Sequence, residues 1–212
     1  KQHRLPVNFD APEFTLSHTM GFDGFLGGDY KYNYTEVGVY KRFWMNSWGK
    51  MDLRVKGGAQ WNKVPFPLLI MPPANLSYVL DEGTFALMGN MEFLNDRFAM
   101  VELMWDINGK ILNRIPLIKK LKLREIIGIK GMMGHLTSKN NPFLENNAND
   151  PVLFNFPENT RLMEGNKPYV ELVVGVHNIF RFFQVAYVRR LSYTDFPGVK
   201  KNGVRFGFQF TF

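Results

Sequence analysis

The sequence predicts an all-β, antiparallel transmembrane β-barrel. Three observations predict it: side chains alternate with period two over segments of nine to twelve residues, turn-forming clusters separate these segments, and large aromatic residues gather near their ends. Strands of soluble domains average about 5–6 residues, whereas a strand that crosses a bilayer needs roughly 9–11. No run approaches the ~18 apolar residues of a membrane-spanning helix, so strands would have to do the crossing. Aromatic residues make up 15% of the 212 residues and charged ones only 21%, which excludes a disordered chain.

In chain order, the first strand is expected at 13–22, with Phe14, Leu16, His18, Met20 and Phe22 on one face, and the second at 30–45. Gly27-Gly28-Asp29 and Ser47-Trp48-Gly49-Lys50 have the turn chemistry to follow or separate them. The third, at 51–62, puts Met51, Leu53, Val55, Gly57, Ala59 and Trp61 opposite Asp52, Arg54, Lys56, Gly58, Gln60 and Asn62. A fourth is expected at 85–94. The fifth, at 99–108, sets Val101, Leu103 and Trp105 against Glu102, Met104 and Asp106, after the turn residues Asn95-Asp96-Arg97. Residues 115–123 read either as a short basic helical turn, with Pro116 in the first turn and Leu117, Ile118 and Leu121 on one side, or as the start of the next strand. Strands at 125–136, 169–180 and 183–193 follow, and Val204, Phe206, Phe208, Phe210 and Phe212 form one face of the last.

Nine strands result, an odd number where bacterial single-chain barrels have an even one. The chain therefore reads as one domain, 1–212, forming the C-terminal part of a barrel of about 16 strands. Counting back from a periplasmic C-terminus puts the 137–168 connection outside the cell and the 65–84 connection in the periplasm, but one strand miscounted at 85–108 or 178–184 would move 65–84 to the outside, so its side stays open. The lipid-facing set is expected to include Leu53, Val55, Val101, Leu103, Trp105, Phe206, Phe208 and Phe210. Trp44, Trp48, Trp61, Trp105, Tyr30, Tyr32, Tyr169 and Tyr193 lie near strand ends, as interfacial girdles do.

Two long connections are the places for function. Residues 137–168 are rich in Asn and Pro and read as a solvated surface loop. Residues 65–84 combine Pro65, Pro67, Pro72 and Pro73 with Phe66, Leu68, Leu69, Ile70 and Met71, which cannot remain in water cheaply. They are expected to plug the lumen or to contact a partner, beside the lumen carboxylates Glu102 and Asp106.

Catalytic chemistry finds little support. The chain has no Cys, which removes disulfides, thiolate metal sites and cysteine nucleophiles. His3, His18, His135 and His177 lack metal-motif spacing, and no glycine loop has phosphate-binding context. Ser192, His177 and Asn178 form one nucleophile–base triple among the many that chance supplies. No catalytic residue, metal or cofactor is expected. The net charge of +7 reads as ordinary solvated surface, compatible with anionic lipopolysaccharide, and no nucleic-acid partner is expected.

Gly175 to Leu191 and Gly203 to Phe212 resemble the closing strands of the bacterial surface antigen superfamily, which includes barrel-assembly and two-partner-secretion proteins. More closely, Leu26-Gly27-Gly28-Asp29, Pro65 to Leu69, Asn108 to Leu121 and Tyr187 to Leu191 resemble the C-terminal barrel of a large Bacteroidota outer-membrane family of unknown function. Its members often carry an N-terminal carboxypeptidase-regulatory-like domain. The resemblance implies a bacterial outer-membrane location, with membrane lipid, lipopolysaccharide and the barrel-assembly machinery as partners, and other outer-membrane or periplasmic proteins as further ones. It also implies that Phe210 and Phe212 belong to the terminal assembly signal. The superfamily's Arg-Gly-Tyr/Phe loop motif has no counterpart, since 65–84 contains no Arg.

The expected function is thus a non-enzymatic outer-membrane barrel in envelope transport, biogenesis or scaffolding of a surface complex. The alternatives are an outer-membrane hydrolase acting on lipid or protein, and a soluble β-sandwich binding module.

Overall fold

The computed structural model describes residues 10–208, so Phe210 and Phe212 lie outside the described residues. Eight strands form one antiparallel sheet, each paired with its neighbours in sequence. They are β1 (Glu13–Gly21), β2 (Tyr32–Trp44), β3 (Lys50–Gln60), β4 (Arg97–Asp106), β5 (Arg124–His135), β6 (Tyr169–Ile179), β7 (Phe183–Arg190) and β8 (Asn202–Phe208). β1 and β8 do not pair with each other, so the sheet is open among the described residues.

The strand expected at 85–94 does not form, which brings the count from nine to eight. Phe85, Ala86, Leu87 and Met88 are all buried in succession. A wall strand buries every second side chain, so a run buried on all sides belongs inside something. The correction also removes the conflict in parity. The connections 22–31, 61–96, 136–168 and 191–201 share one end of the sheet, and 45–49, 107–123 and 180–182 share the other. The loop at 65–84 is therefore on the same side as 137–168, not opposite it.

The faces of the sheet follow from register. Leu53 pairs with Leu103 and Val55 with Val101 on the convex face, while Arg54 pairs with Glu102 on the concave one. The convex face continues through Phe14, Leu16, Val37, Ile127, Ile129, Val174, Val204, Phe206 and Phe208, all exposed. Phe14 is 76% and Leu16 75% exposed, whereas Glu171 is 0%, Arg190 2% and Lys130 4%. Apolar side chains thus line the exposed face and several charged ones the enclosed face, the reverse of the ordinary pattern of water-soluble domains.

One segment defines the curvature. Residues 78–94 bond to Arg54 on β3, Glu102 on β4, Lys130 on β5, Glu171 on β6, Arg190 on β7 and Phe206 on β8. Leu80 bonds to β8 while Glu82 and Gly83, two and three residues on, reach β3 and β4; flat, β3 and β8 would lie roughly 24 Å apart at ~4.8 Å spacing, so the sheet must wrap around the segment. Between β4 and β5, the short basic helical turn forms as α1 (Pro116–Lys119).

Candidate functional site

The concave face of the sheet is filled by its own β3–β4 connection, and charged wall residues hold that loop by its backbone. Glu171 accepts hydrogen bonds from the Ala86 N–H at 2.9 Å, the Leu87 N–H at 2.8 Å and the Tyr169 hydroxyl at 2.7 Å. Three donors offset the desolvation of a carboxylate that has no access to water. Glu102 accepts from the Gly83 N–H at 2.9 Å and pairs with Lys130 at 2.9 Å. Lys130 donates in turn to the carbonyls of Thr84 at 2.9 Å and Asp81 at 3.2 Å. Arg54 bridges Glu82 of the loop and Glu102 of the wall. Arg190 grips Glu92 with two hydrogen bonds, of 2.7 and 3.0 Å, and lies over the Tyr169 ring.

Apolar packing completes the loop's seat. Phe85, Met88 and Phe93 pack with Met100, Met132, Tyr169 and Tyr193, and Ala86 and Leu87 pack with Val173, Ala186 and Val188. Burial raises the pKa of the Tyr193 hydroxyl, which donates to the Lys167 carbonyl. The wall is thinned where the loop docks: a Cβ on Gly203 would lie 2.8 Å from a Leu87 methyl. At the β8 edge, the Leu80 N–H donates to the Phe206 carbonyl and the Phe206 N–H to the Tyr78 carbonyl. The loop therefore covers part of an otherwise unpaired edge.

Glu102 and Asp106 come together around a cavity of about 310 Å³, also walled by Asp52, Lys130 and Leu80 to Glu82. Asp106 faces His177 at 3.1 Å. Phe66, Leu68, Leu69, Ile70 and Met71 are placed elsewhere. Phe66, Leu68, Leu69 and Met71 cluster with Val64, Leu94, Tyr32, Leu136 and Phe156 at the rim, and Ile70 bridges to Asn95. Residues 80–94 occupy the interior instead. The Ser192, His177 and Asn178 triple does not assemble. The Ser192 hydroxyl accepts from the Val170 N–H, seven residues along β6 from His177, or roughly 23 Å at strand rise.

At the long-loop end the two long connections are knotted together. Asp96, fully buried, accepts from the Thr137 N–H and hydroxyl and from the Asn140 amide, and Asn140 accepts from the Val64 N–H. Residues 1–148 match the model for the C-terminal domain of DUF5686, a family of unknown function. The chain belongs to that family. No curated protein and no solved structure matches it. The DUF5686 match ends inside the loop that carries this knot, while the sheet runs on without a break from β5 to β6.

Further along the same DUF5686 loop, Lys63 pairs with Asp150 at 2.6 Å, and this bond with the Val152 N–H holds the Asp150 carboxyl below its ordinary range. Thr160 and Arg161 bond to the carbonyls of Met91 and Glu92, so residues 137–168 also brace the inner loop from above. Among the described residues no group of three or more acidic or His side chains is arranged to hold a metal ion.

Proposed function

We propose that this chain is the C-terminal wall and built-in plug of an outer-membrane β-barrel, a non-enzymatic protein of envelope biogenesis or surface scaffolding in which the lumen is closed by its own loop. The observation that carries the reading is the inverted burial, with apolar side chains exposed along all eight strands while Glu102, Lys130, Glu171, Arg190 and Arg205 are enclosed. Soluble monomers rarely expose contiguous apolar patches beyond a few hundred Å², and here exposed apolar side chains recur on every strand. A bilayer solvates it.

On this reading further strands of a barrel of about 16 would join at the β1 edge and at the part of the β8 edge that residues 78–80 leave free. The long-loop end faces the cell exterior, and the short-turn end faces the periplasm. The two longest connections, 61–96 and 136–168, lie outside and the tight turns 45–49 and 180–182 inside, as in bacterial barrels, with 107–123 as the exception. The likeness to Bacteroidota outer-membrane barrels and to the surface antigen superfamily points the same way. A plugged lumen argues against an open diffusion pore, so the transport sense of the reading narrows to gated passage.

The test is planar-bilayer recording of the full-length protein against a variant in which residues 80–94 are replaced by a short Gly-Ser linker. The variant should conduct steadily while the parent stays closed or nearly so. Equal conductance would sink the plug, and a monodisperse detergent-free protein would sink the membrane assignment.

A further inference from the structure

The β4–β5 connection combines two features that its role as a turn does not require. Residues 107–124 hold six cations, Lys110, Arg114, Lys119, Lys120, Lys122 and Arg124, and no carboxylate. Interleaved with them, Ile111, Ile115, Leu117 and Leu121 are exposed, Leu117 at 78%. Across a shallow recess of about 650 Å³ the β6–β7 turn adds exposed Phe180 and Arg181. No carboxylate pairs with Arg114, Lys119, Lys120, Lys122 or Arg181 among the described residues.

Each feature alone is unfavourable in water: the cations repel one another, and the apolar side chains are solvated at a cost. One environment relieves both, a membrane interface with hydrocarbon beneath and negative charge above. A second feature fixes the depth. Trp48 and Trp105 contact each other at 6.1 Å, the Trp105 indole donates to the Trp48 carbonyl, and Lys110 lies 5.6 Å from the Trp48 ring. Paired tryptophans of this kind sit at headgroup level.

We propose that this ridge binds the phosphodiester headgroups of anionic phospholipid in the leaflet at the short-turn end. The proposal rests on the membrane-barrel reading and goes beyond it by naming a lipid class and a site. Charge complementarity selects anionic over zwitterionic lipid, and the exposed Leu117, Leu121 and Phe180 select a lipid over a free phosphate.

The test uses the full-length protein refolded into vesicles of phosphatidylcholine alone or mixed with phosphatidylglycerol, beside the variant Lys119→Gln, Lys120→Gln, Lys122→Gln, Arg181→Gln. Heat-modifiable migration reports folding in each bilayer. Quenching of tryptophan fluorescence by brominated phosphatidylglycerol against brominated phosphatidylcholine reports which lipid sits at the ridge. The parent should prefer phosphatidylglycerol roughly ten-fold, and the variant should fold equally well with the preference gone. A parent that folds in both bilayers and shows no preference overturns the proposal, as does a preference that survives in the variant. Retention of an acidic protein without lipid preference overturns it in favour of a protein partner. Failure to fold in either bilayer would instead remove the membrane reading, and the proposal with it.

Discussion

Glu92 and Arg190, 98 residues apart, form a two-bonded ion pair at 2.7 and 3.0 Å between the inner loop and the wall, and the guanidinium is wholly shielded from water. Arg190 also donates to the carbonyls of Ser192 and Tyr193, so two more of its N–H groups are satisfied by the chain that leaves β7. A pair so enclosed adds little net stability compared with an apolar replacement of both members, but removal of one member strands the other.

The first prediction concerns this asymmetry. Glu92→Met leaves Arg190 buried and unpaired and should cost about 3–5 kcal/mol, read as a lowered urea midpoint of the folded protein. Glu92→Met with Arg190→Met should recover a large part of that loss. The single variant should also let protease reach 84–94. Equal effects of the single and double variants would mean that the loop is held by its apolar packing and not by the ion pair.

The second prediction concerns the two faces of the wall. Leu16 and Val101 project from the convex side, and an Arg at either should cost roughly 2–4 kcal/mol if that side meets the bilayer midplane. The inward neighbour of Leu16 is Ser17, which pairs with Glu36 on a part of the concave face where β1 remains exposed. Ser17→Arg should therefore be tolerated. Met100, although inward, is an unsuitable control because it packs against the loop. Assembly into heat-modifiable protein in isolated outer membranes measures all three variants, and equal yields would remove the face assignment.

Much of the wall was legible because period two is a local property. Leu53, Val55, Val101 and Leu103 need only their own neighbours in sequence to be placed on one side. The interior was not legible for the converse reason. Alternation at 85–94 is compatible with a strand, yet Ala86, Leu87 and Met88 are apolar in succession and buried by partners that come from β4, β5, β6 and β7. The pairing of Glu92 with Arg190 leaves no trace in spacing, since Arg189-Arg190 reads as ordinary polar wall. The odd strand count and the unbroken apolar run Phe85 to Met88 are the signals in the sequence that 85–94 belongs elsewhere. The apolar character of Phe66 to Met71 does not distinguish the rim, where Phe66, Leu68, Leu69 and Met71 pack, from the interior.

The last prediction concerns Asp96 and Asn140, which tie the outer loop to the inner one. Asp96 presents two oxygens to three donors, the Thr137 N–H, the Thr137 hydroxyl and the Asn140 amide, and Asn140 passes the connection on to Val64 and Asn62. Hydrogen bonds to an ionised acceptor are worth about 1.5–3 kcal/mol each, so Asp96→Ala should release the loop without dissolving the sheet. Asp96→Asn separates charge from shape: its amide oxygen can still accept from Thr137, but its NH₂ group would meet the NH₂ of Asn140. Limited proteolysis in the exposed stretch 143–149 should thus run fastest in Asp96→Ala, at an intermediate rate in Asp96→Asn and slowest in the parent, with heat-modifiable folding retained by all three. If residues 137–168 brace the plug through Thr160 and Arg161, the same order should appear in the frequency of channel openings, because loosening the outer loop removes the bonds at Met91 and Glu92. Identical nicking rates would show that the Lys63–Asp150 and Phe66–Phe156 contacts suffice to hold the loop. Faster nicking with unchanged openings would instead separate the outer loop from the plug and confine its role to the surface.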